Sequence, residues 1–442
     1  MRQAGRRPTS TEDQTRKGPA VTGTIDPTIL DDLVWRGLIA HATDLGALRE
    51  ALTAGSVRFY VGFDPTAPSL HMGNLVQLAT ARRLQNAGHT PYILVGGATG
   101  MIGDPRDSGE RTLNSLDTVK DWTERVRRQV APFVNLEGSN AATLVNNYDW
   151  TASLSTIDFL REVGKHFPVN RMLQREVVSR RLESGISYTE FSYVLLQSMD
   201  FLNLYRDHGV TLQHGATDQW GNITAGVDLI RRADGGQAHA FVTPLITKPD
   251  GTKYGKTEGV ALWLDPEMTS PYAFHQWWLN VDDSQVGEML RIFTFLSHEE
   301  IEALEAETKE EPWKRNGHKR LADEVTTLVH GAAETEHAKA AAAALFGGGD
   351  LQGLSPSTLA SALREAGSTR VPSLLPVVDL LVETGLAKSK GDARRTISEG
   401  GAYLNNVRVE DPEAEPRSSD LIDGAWLVLR KGKKQFAGVE VG

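Results

Sequence analysis

The run Tyr60-Val61-Gly62-Phe63-Asp64-Pro65-Thr66-Ala67-Pro68-Ser69-Leu70-His71-Met72-Gly73-Asn74 decides the fold. It completes an apolar strand that begins at Val57 and is stopped by Asp64-Pro65 and again by Pro68. A helix is predicted next: Ser69 supplies a cap, Met72, Leu75, Leu78, Ala79 and Leu84 recur at helical spacing, and Gly88 ends it. Pro91 then opens a second strand, Tyr92-Ile93-Leu94-Val95, closed by Gly96-Gly97. A strand-helix-strand crossover implies parallel strands, so the fold class is α/β with a doubly wound parallel sheet and ligands at the carboxyl ends of its strands. Thr66, His71 and Asn74 fall at the strand-to-helix junction, where free amides and the helix dipole attract an anion, and all three can donate to phosphate oxygens. Gly73 leaves room for a planar base. An ordinary helix start with an exposed His has the same pattern, so this run alone does not decide between them.

Two further clusters carry polar groups where apolar ones would be cheaper. Ser187 to Tyr205 reads as a helix with a Ser187/Glu190 capping-box pattern, ended by His208-Gly209. Tyr193, Gln197 and Asp200 stand at i, i+4 and i+7 within it, roughly 60° apart or less on one face. Burying that face leaves polar groups that must meet each other or a ligand. The third cluster, Gly215-Ala216-Thr217-Asp218-Gln219-Trp220-Gly221-Asn222, leads into a helix running through Ile230. A carboxylate at such a turn suits vicinal ribose hydroxyls, and a plain N-cap is the alternative.

Composition bounds the chemistry. The chain has 442 residues, a formal charge of -10 and no Cys, which excludes a disulfide scaffold, thiolate-ligated metal and a cysteine nucleophile. No apolar run approaches the roughly 20 residues that span a bilayer, so a soluble cytoplasmic protein without membrane partners is expected. Residues 1–24 read as a disordered extension, 25–270 as the α/β domain, 271–345 as a helical domain, 346–374 as a linker and 375–442 as a small basic module. In that module Ser389 to Ile397 reads as a short helix, followed by a hairpin turning at Asn405-Asn406. Gly251 to Thr257 is one residue short of a phosphate-binding Walker loop, no Gly-x-Gly-x-x-Gly or Gly-x-Ser-x-Gly motif occurs, and His330 and His337, read as sharing a solvated helix face, lack a third ligand.

Together these residues resemble the bacterial tyrosyl-tRNA synthetases, a class I aminoacyl-tRNA synthetase family, from about Leu30 to the C-terminus. Four ordered motifs carry the likeness: Tyr60 to Asn74 at the His-Ile-Gly-His signature, Gly96 to Pro105, Asp218 to Asn222, and Lys253 to Thr257 at the Lys-Met-Ser-Lys-Ser signature. The resemblance implies a Rossmann-like catalytic domain, then an α-helical anticodon-binding domain and an α+β S4-like RNA-binding domain. It implies a homodimer that joins L-tyrosine to tRNA(Tyr) through tyrosyl-adenylate, with ATP as substrate, Mg2+ accompanying ATP and no tightly bound cofactor or protein-held metal.

Residue roles follow from the same resemblance. Thr66, His71 and Asn74 serve the transition-state phosphate, and Lys253, Lys256 and Thr257 the departing pyrophosphate. Gly62, Asp64, Gly73, Gly215, Asp218, Gln219 and Lys256 hold ATP. Tyr60 and Asp200 meet the substrate phenol, and Asp104, Tyr193 and Gln197 its ammonium group. Lys388, Lys390, Arg394 and Arg395 form a phosphate-binding face for RNA. No protein nucleophile is needed, which agrees with the absence of Cys. Two positions depart from the pattern: Asn74 replaces the final His of the first signature, and His214 stands where an apolar residue is usual. His214 is expected to tune the substrate pocket or to mark a paralogue for a modified tyrosine. A non-catalytic RNA-binding or regulatory relative is the other alternative.

Overall fold

A computed structural model describes residues 24–105, 113–252, 254, 261–347, 351, 354, 356–432 and 435–442. The extension read over residues 1–24 lies almost wholly outside them. The chain packs as two compact units, one comprising residues up to Asp265 with Asp282–Gly317, the other Pro266–Val281 with His318–Gly442.

The first unit is built on a six-stranded sheet of β1 (His41–Ala42), β2 (Arg58–Phe63), β3 (Thr90–Val95), β4 (Thr143–Asn146), β5 (Leu212–Ala216) and β6 (His239–Thr243), in the order β1-β6-β5-β2-β3-β4. The five strands β2 to β6 are parallel, and β1 adds an antiparallel edge to β6 that sequence periodicity had not shown. The expected strand-helix-strand unit is present as β2, the helix Met72–Asn86 and β3. Its cap is His71 and not Ser69, whose hydroxyl is spent on the Leu70 carbonyl and Gln129. The chain steps from β2 to β3 and β4 on one side, then returns through the helix Tyr188–His208 to β5 and β6 on the other. β2 and β5 therefore flank the point where the winding reverses.

The helix Tyr188–His208 starts and stops as its sequence says: Ser187 accepts from the Glu190 amide, and Gly209 closes it at φ 62°. Only half of the capping box forms, because the buried Glu190 carboxylate pairs with Arg181 at 3.1 Å instead. Its apolar side packs with Tyr60, Leu94, Met172 and Leu229 into one core.

The boundary expected at 270–271 is not where the units divide. Helices Val286–Phe293 and His298–Glu310 belong with the sheet unit, where the buried guanidiniums of Arg36 and Arg83 donate to the carbonyls of Arg291 and Thr294 and, from Arg36, Leu296. These partners lie more than two hundred residues away in sequence, beyond the reach of local pattern. The stretch read as a linker holds the helix Pro356–Ala366 and β7 (Ser368–Val371). His330 and His337 do not share a face: Gly331 separates the helices Asn316–His330 and Ala332–Gly347, and His330 is buried edge-on to Phe274.

The second unit ends in a five-stranded sheet of β7, β8 (Ala402–Leu404), β9 (Val407–Arg408), β10 (Trp426–Lys431) and β11 (Gln435–Val441), ordered β7-β11-β10-β8-β9. The hairpin β8-β9 turns at Asn405 and Asn406, with φ 49° and 65°, as two consecutive left-handed positions require. The short helix expected over Ser389 to Ile397 is present as Lys390–Ser398, with Ser389 as its cap.

Candidate active site

The carboxyl ends of β2, β3 and β5 bring three turns together, and glycine makes the approach possible. Gly62 is exposed although it lies in a central strand, so the sheet is notched there. A methyl group on Gly96 would stand 2.0 Å from Asp64 Oδ1 and 2.3 Å from Thr99 Oγ1; without one, the Gly96–Met101 turn packs onto Asp64. Asp64 accepts from Thr99 Oγ1 and from the Tyr193 hydroxyl, each at 2.6 Å. Tyr193, expected on a substrate ammonium, thus spends its proton on Asp64 and keeps oxygen lone pairs for a second donor.

Near this turn lies a cluster of buried polar side chains. Asp200 Oδ2 accepts from Asn147 at 3.0 Å and Oδ1 from Trp150 Nε1 at 2.8 Å. Burial pushes Asp200 up to about 7, against the lowering by Asn147 and Trp150. Tyr60 is 1% exposed and its hydroxyl makes no well-formed hydrogen bond; burial and then Asp200 raise its pKa well above 10, with the neighbouring Gln213 side chain opposing. Gln197 Oε1 is likewise buried and unpartnered. Two unsatisfied polar atoms beside a buried carboxylate leave room in hydrogen bonding for a polar ligand. Sequence reasoning missed Asn147 and Trp150, which follow β4 and meet Asp200 only because β4 lies beside β3.

Asp104 sits at the other rim, held by Gln219 Nε2 at 2.8 Å and Asn222 Nδ2 at 3.1 Å. Burial raises it to about 6, with those two amides opposing and Asp64 and Asp218 adding to the rise. The sequence places Asn222 in the third cluster without pointing to this contact.

At the start of the helix Met72–Asn86, His71 and Asn74 cap reciprocally: His71 Nδ1 accepts from the Gly73 amide, and Asn74 Oδ1 from the His71 amide, both at 3.0 Å. The surrounding protein lowers the pKa of His71 although the residue is solvent-exposed, with Asp218 opposing. A neutral ring with Nδ1 accepting carries its proton on Nε2, free to donate. A methyl on Gly73 would stand 2.9 Å from His71 Cε1, so Gly73 serves the cap as well as leaving space. Thr66 and Asp218 are exposed at the ends of β2 and β5, and Gly215 is buried with Gln219 half-buried. Lys253, Lys256 and Thr257 lie outside the described residues. The chain after them is tied to this end of the site, because Met72 donates to the Leu262 carbonyl at 3.0 Å and Leu264 to the Leu70 carbonyl at 2.9 Å.

His214 does not reach the pocket. Side chains alternate across β2, so Tyr60 faces Phe201 while Phe59 faces the opposite side with His214. There His214 stacks on Phe241, Nδ1 contacts Gln77 Oε1 at 3.1 Å, and burial lowers it to about 3. It is a neutral core residue.

In the second unit the basic helix is largely paired. Lys390 meets Asp379 at 2.6 Å, Arg394 meets Glu413 at 3.2 Å, and Arg395 meets Asp392 at 2.9 Å. Lys388 lines a cavity of about 650 Å³ together with Gln276, Asn280, Asp392 and Lys431.

Comparison with known proteins agrees with this geometry. Residues 53–347 match the family of tRNA synthetases class I (W and Y), and residues 360–439 match the tyrosine–tRNA ligase SYY-like C-terminal domain. The chain is 59% identical to the tyrosine–tRNA ligase of Streptomyces coelicolor, covering 93% of this chain and 99% of that one. It is 60% identical to that of Streptomyces griseus, over 94% and 99%. Among solved structures, the C-terminally truncated mitochondrial tyrosyl-tRNA synthetases of Coccidioides posadasii (30% identity, TM-score 0.62, 70% of this chain and 90% of that) and Aspergillus nidulans (28%, 0.65, 70% and 92%) share its architecture. A doubly wound sheet with its polar pocket at the reversal point, and sequence identity of this extent, establish that the chain belongs to the tyrosine–tRNA ligases among the class I tRNA synthetases.

Proposed function

We infer that this chain activates L-tyrosine with ATP, releasing pyrophosphate, and passes the tyrosyl group to the 3′ end of tRNA(Tyr). The observation that carries the reading is the buried Asp200 carboxylate beside the buried Tyr60 hydroxyl, which makes no well-formed hydrogen bond, at the reversal point of a parallel sheet. A phenol satisfies that pair, donating to a remaining lone pair of Asp200 and accepting from Tyr60, whereas phenylalanine adds no donor to the two that Asp200 has from Asn147 and Trp150 and leaves the Tyr60 hydroxyl without its acceptor, and an indole has no hydroxyl to offer. Asp104 and Gln197 would take the ammonium group, with Tyr193 contributing its free lone pairs.

The substrate carboxylate then attacks the α-phosphorus of ATP, and the bond to pyrophosphate breaks in line. Nothing in that displacement needs a protein nucleophile, so the protein acts by placing the reactants and meeting developing charge. His71 Nε2–H, Thr66 and the Asn74 amide are the donors at the helix start, and Asp218 and Gln219 would hold the ribose. Lys253, Lys256 and Thr257 would neutralise the leaving pyrophosphate. Mg2+ would enter as part of the MgATP substrate.

The exposed apolar residues Ile157, Leu160, Val169 and Leu173, at 64%, 45%, 60% and 37%, support a homodimer formed through this region. Cytoplasmic action follows from the tRNA substrate; among the described residues no helix is long and apolar enough to cross a membrane. Pyrophosphate exchange into ATP, run in turn with tyrosine, phenylalanine, tryptophan and ring-substituted tyrosines, tests the reading. Tyrosine-dependent exchange is expected; equal exchange with tryptophan overturns it.

A further inference from the structure

Asp104 is enclosed by a ring of hydrogen bonds whose direction is set from outside the pocket. Its two oxygens accept from Gln219 Nε2 and Asn222 Nδ2, and Asn222 Nδ2 also donates to Gln219 Oε1 at 3.1 Å. When Asp104 is protonated each amide could turn over and accept from it, since the two ends of Asn or Gln have nearly the same shape. One contact forbids it: Arg175 Nη2 donates to Asn222 Oδ1 at 2.5 Å. A guanidinium has no acceptor, so Asn222 must point its oxygen to Arg175 and its NH2 group to Asp104 and Gln219. Gln219, receiving a donor on Oε1, must then direct Nε2 to Asp104. A donor-only group thereby fixes two amides at once.

The chain leaves space for this. A methyl on Gly221 would lie 2.9 Å from Arg175 Nη2, so the guanidinium rests against a helix position that has no side chain. Arg175 is partly buried, which lowers its pKa, and its charge acts on Asp104. Facing Asp104 are also Asp64, Asp218 and the Tyr193 hydroxyl.

We propose that Arg175 is a positioning residue for amino-acid recognition: through Asn222 and Gln219 it orients the donors that keep Asp104 a charged carboxylate for the substrate's ammonium group. The proposal rests on the reading of Asp104 as the ammonium partner. When Arg175 is lost, the amides are free to turn oxygen toward Asp104, which disfavours its charged form and weakens its hold on a cation.

The test uses the full chain in pyrophosphate exchange without tRNA. It compares KM and kcat for tyrosine with the inhibition constant of 3-(4-hydroxyphenyl)propionate, which keeps the phenol but lacks the ammonium group. Arg175→Gln is expected to raise the tyrosine KM on the order of tenfold, the size of one charge-assisted hydrogen bond, while kcat and the propionate constant change less than about twofold. Arg175→Lys, still a donor without an acceptor, should recover part of the loss. Gly221→Ala, which favours the helix but displaces the guanidinium, should act in the same direction as Arg175→Gln. Asp104→Asn separates the two levels. If it weakens tyrosine but not the propionate, while Arg175→Gln and Gly221→Ala leave tyrosine unaffected, the proposal falls and the role of Asp104 stands. If Asp104→Asn shows no such selectivity, the role of Asp104 falls and takes the proposal with it. Equal weakening of tyrosine and propionate by Arg175→Gln would show general loss of the pocket and also overturn the proposal.

Discussion

At Asp200 the chain tolerates a cost that its proposed role in recognising a hydroxyl would account for. Burial raises this carboxyl to about 7, whereas in an unfolded chain it titrates near the ordinary 3.8. The folded protein therefore binds the proton more tightly than the unfolded one, so this contribution to stability is full below pH about 4 and is lost as pH rises through about 7. Asp104, raised to about 6, acts in the same direction. Replacing Asp200 by Asn is expected to flatten the decline in unfolding midpoint between pH 5 and 8, measured by urea titration against the parent; an unchanged slope would mean that Asp200 is charged and well solvated. Substrate binding runs the other way. The phenol donates more strongly to the ionised carboxylate than to the protonated acid, so on the proposed reading the tyrosine KM should rise as pH falls below about 7. The candidacy of Asp200 was legible from its i+7 spacing to Tyr193. Its partners Asn147 and Trp150 were not, because contacts at fifty residues' separation depend on strand order.

The signature helix shows how an element can meet its pattern by a different device. Sequence placed the cap at Ser69 and assigned Asn74 to phosphate, whereas His71 and Asn74 cap one another. An Asn in place of the final His keeps the helix start closed and still leaves an NH2 group to donate. Asn74→Ala should lower stability by about 0.5–1.5 kcal/mol in urea unfolding, the range for a lost cap contact, and slow exchange with little change in tyrosine KM. A large rise in tyrosine KM would place Asn74 in the amino-acid pocket instead. The basic helix Lys390–Ser398 was legible as an element, but its charge was not legible as available charge, since Asp379, Asp392 and Glu413 neutralise three of the four cations named for RNA. Lys388 is the one with no ion pair among the described residues. Lys388→Ala should therefore reduce tRNA charging and lower the salt slope by up to about one unit, with exchange unchanged; an unaltered slope would remove Lys388 from the RNA face.

For the molecule as a whole, the doubly wound sheet could be read from a single strand-helix-strand unit, because crossover handedness and parallel pairing leave few alternatives. The partition into units could not. Helices Val286–Phe293 and His298–Glu310 look like their helical neighbours in sequence, and the carbonyl contacts of Arg36 and Arg83 are what assign them to the sheet unit. Similarly, Leu359 and Leu363 of the supposed linker share a core with Trp426 and Val428, so cutting the chain at residue 375 would open that core. Charge substitutions are for that reason the better probe of the C-terminal sheet. The proposed reading places one discrimination at the sheet's reversal point, and the direct measurement is kcat/KM for tyrosine over phenylalanine in pyrophosphate exchange, for the parent and for Asp200→Ala. The parent should favour tyrosine strongly and Asp200→Ala should lose most of that preference, through loss of tyrosine activity or gain of phenylalanine activity. A preference unchanged by the substitution would contradict the assignment of Asp200 as the group that selects the hydroxyl.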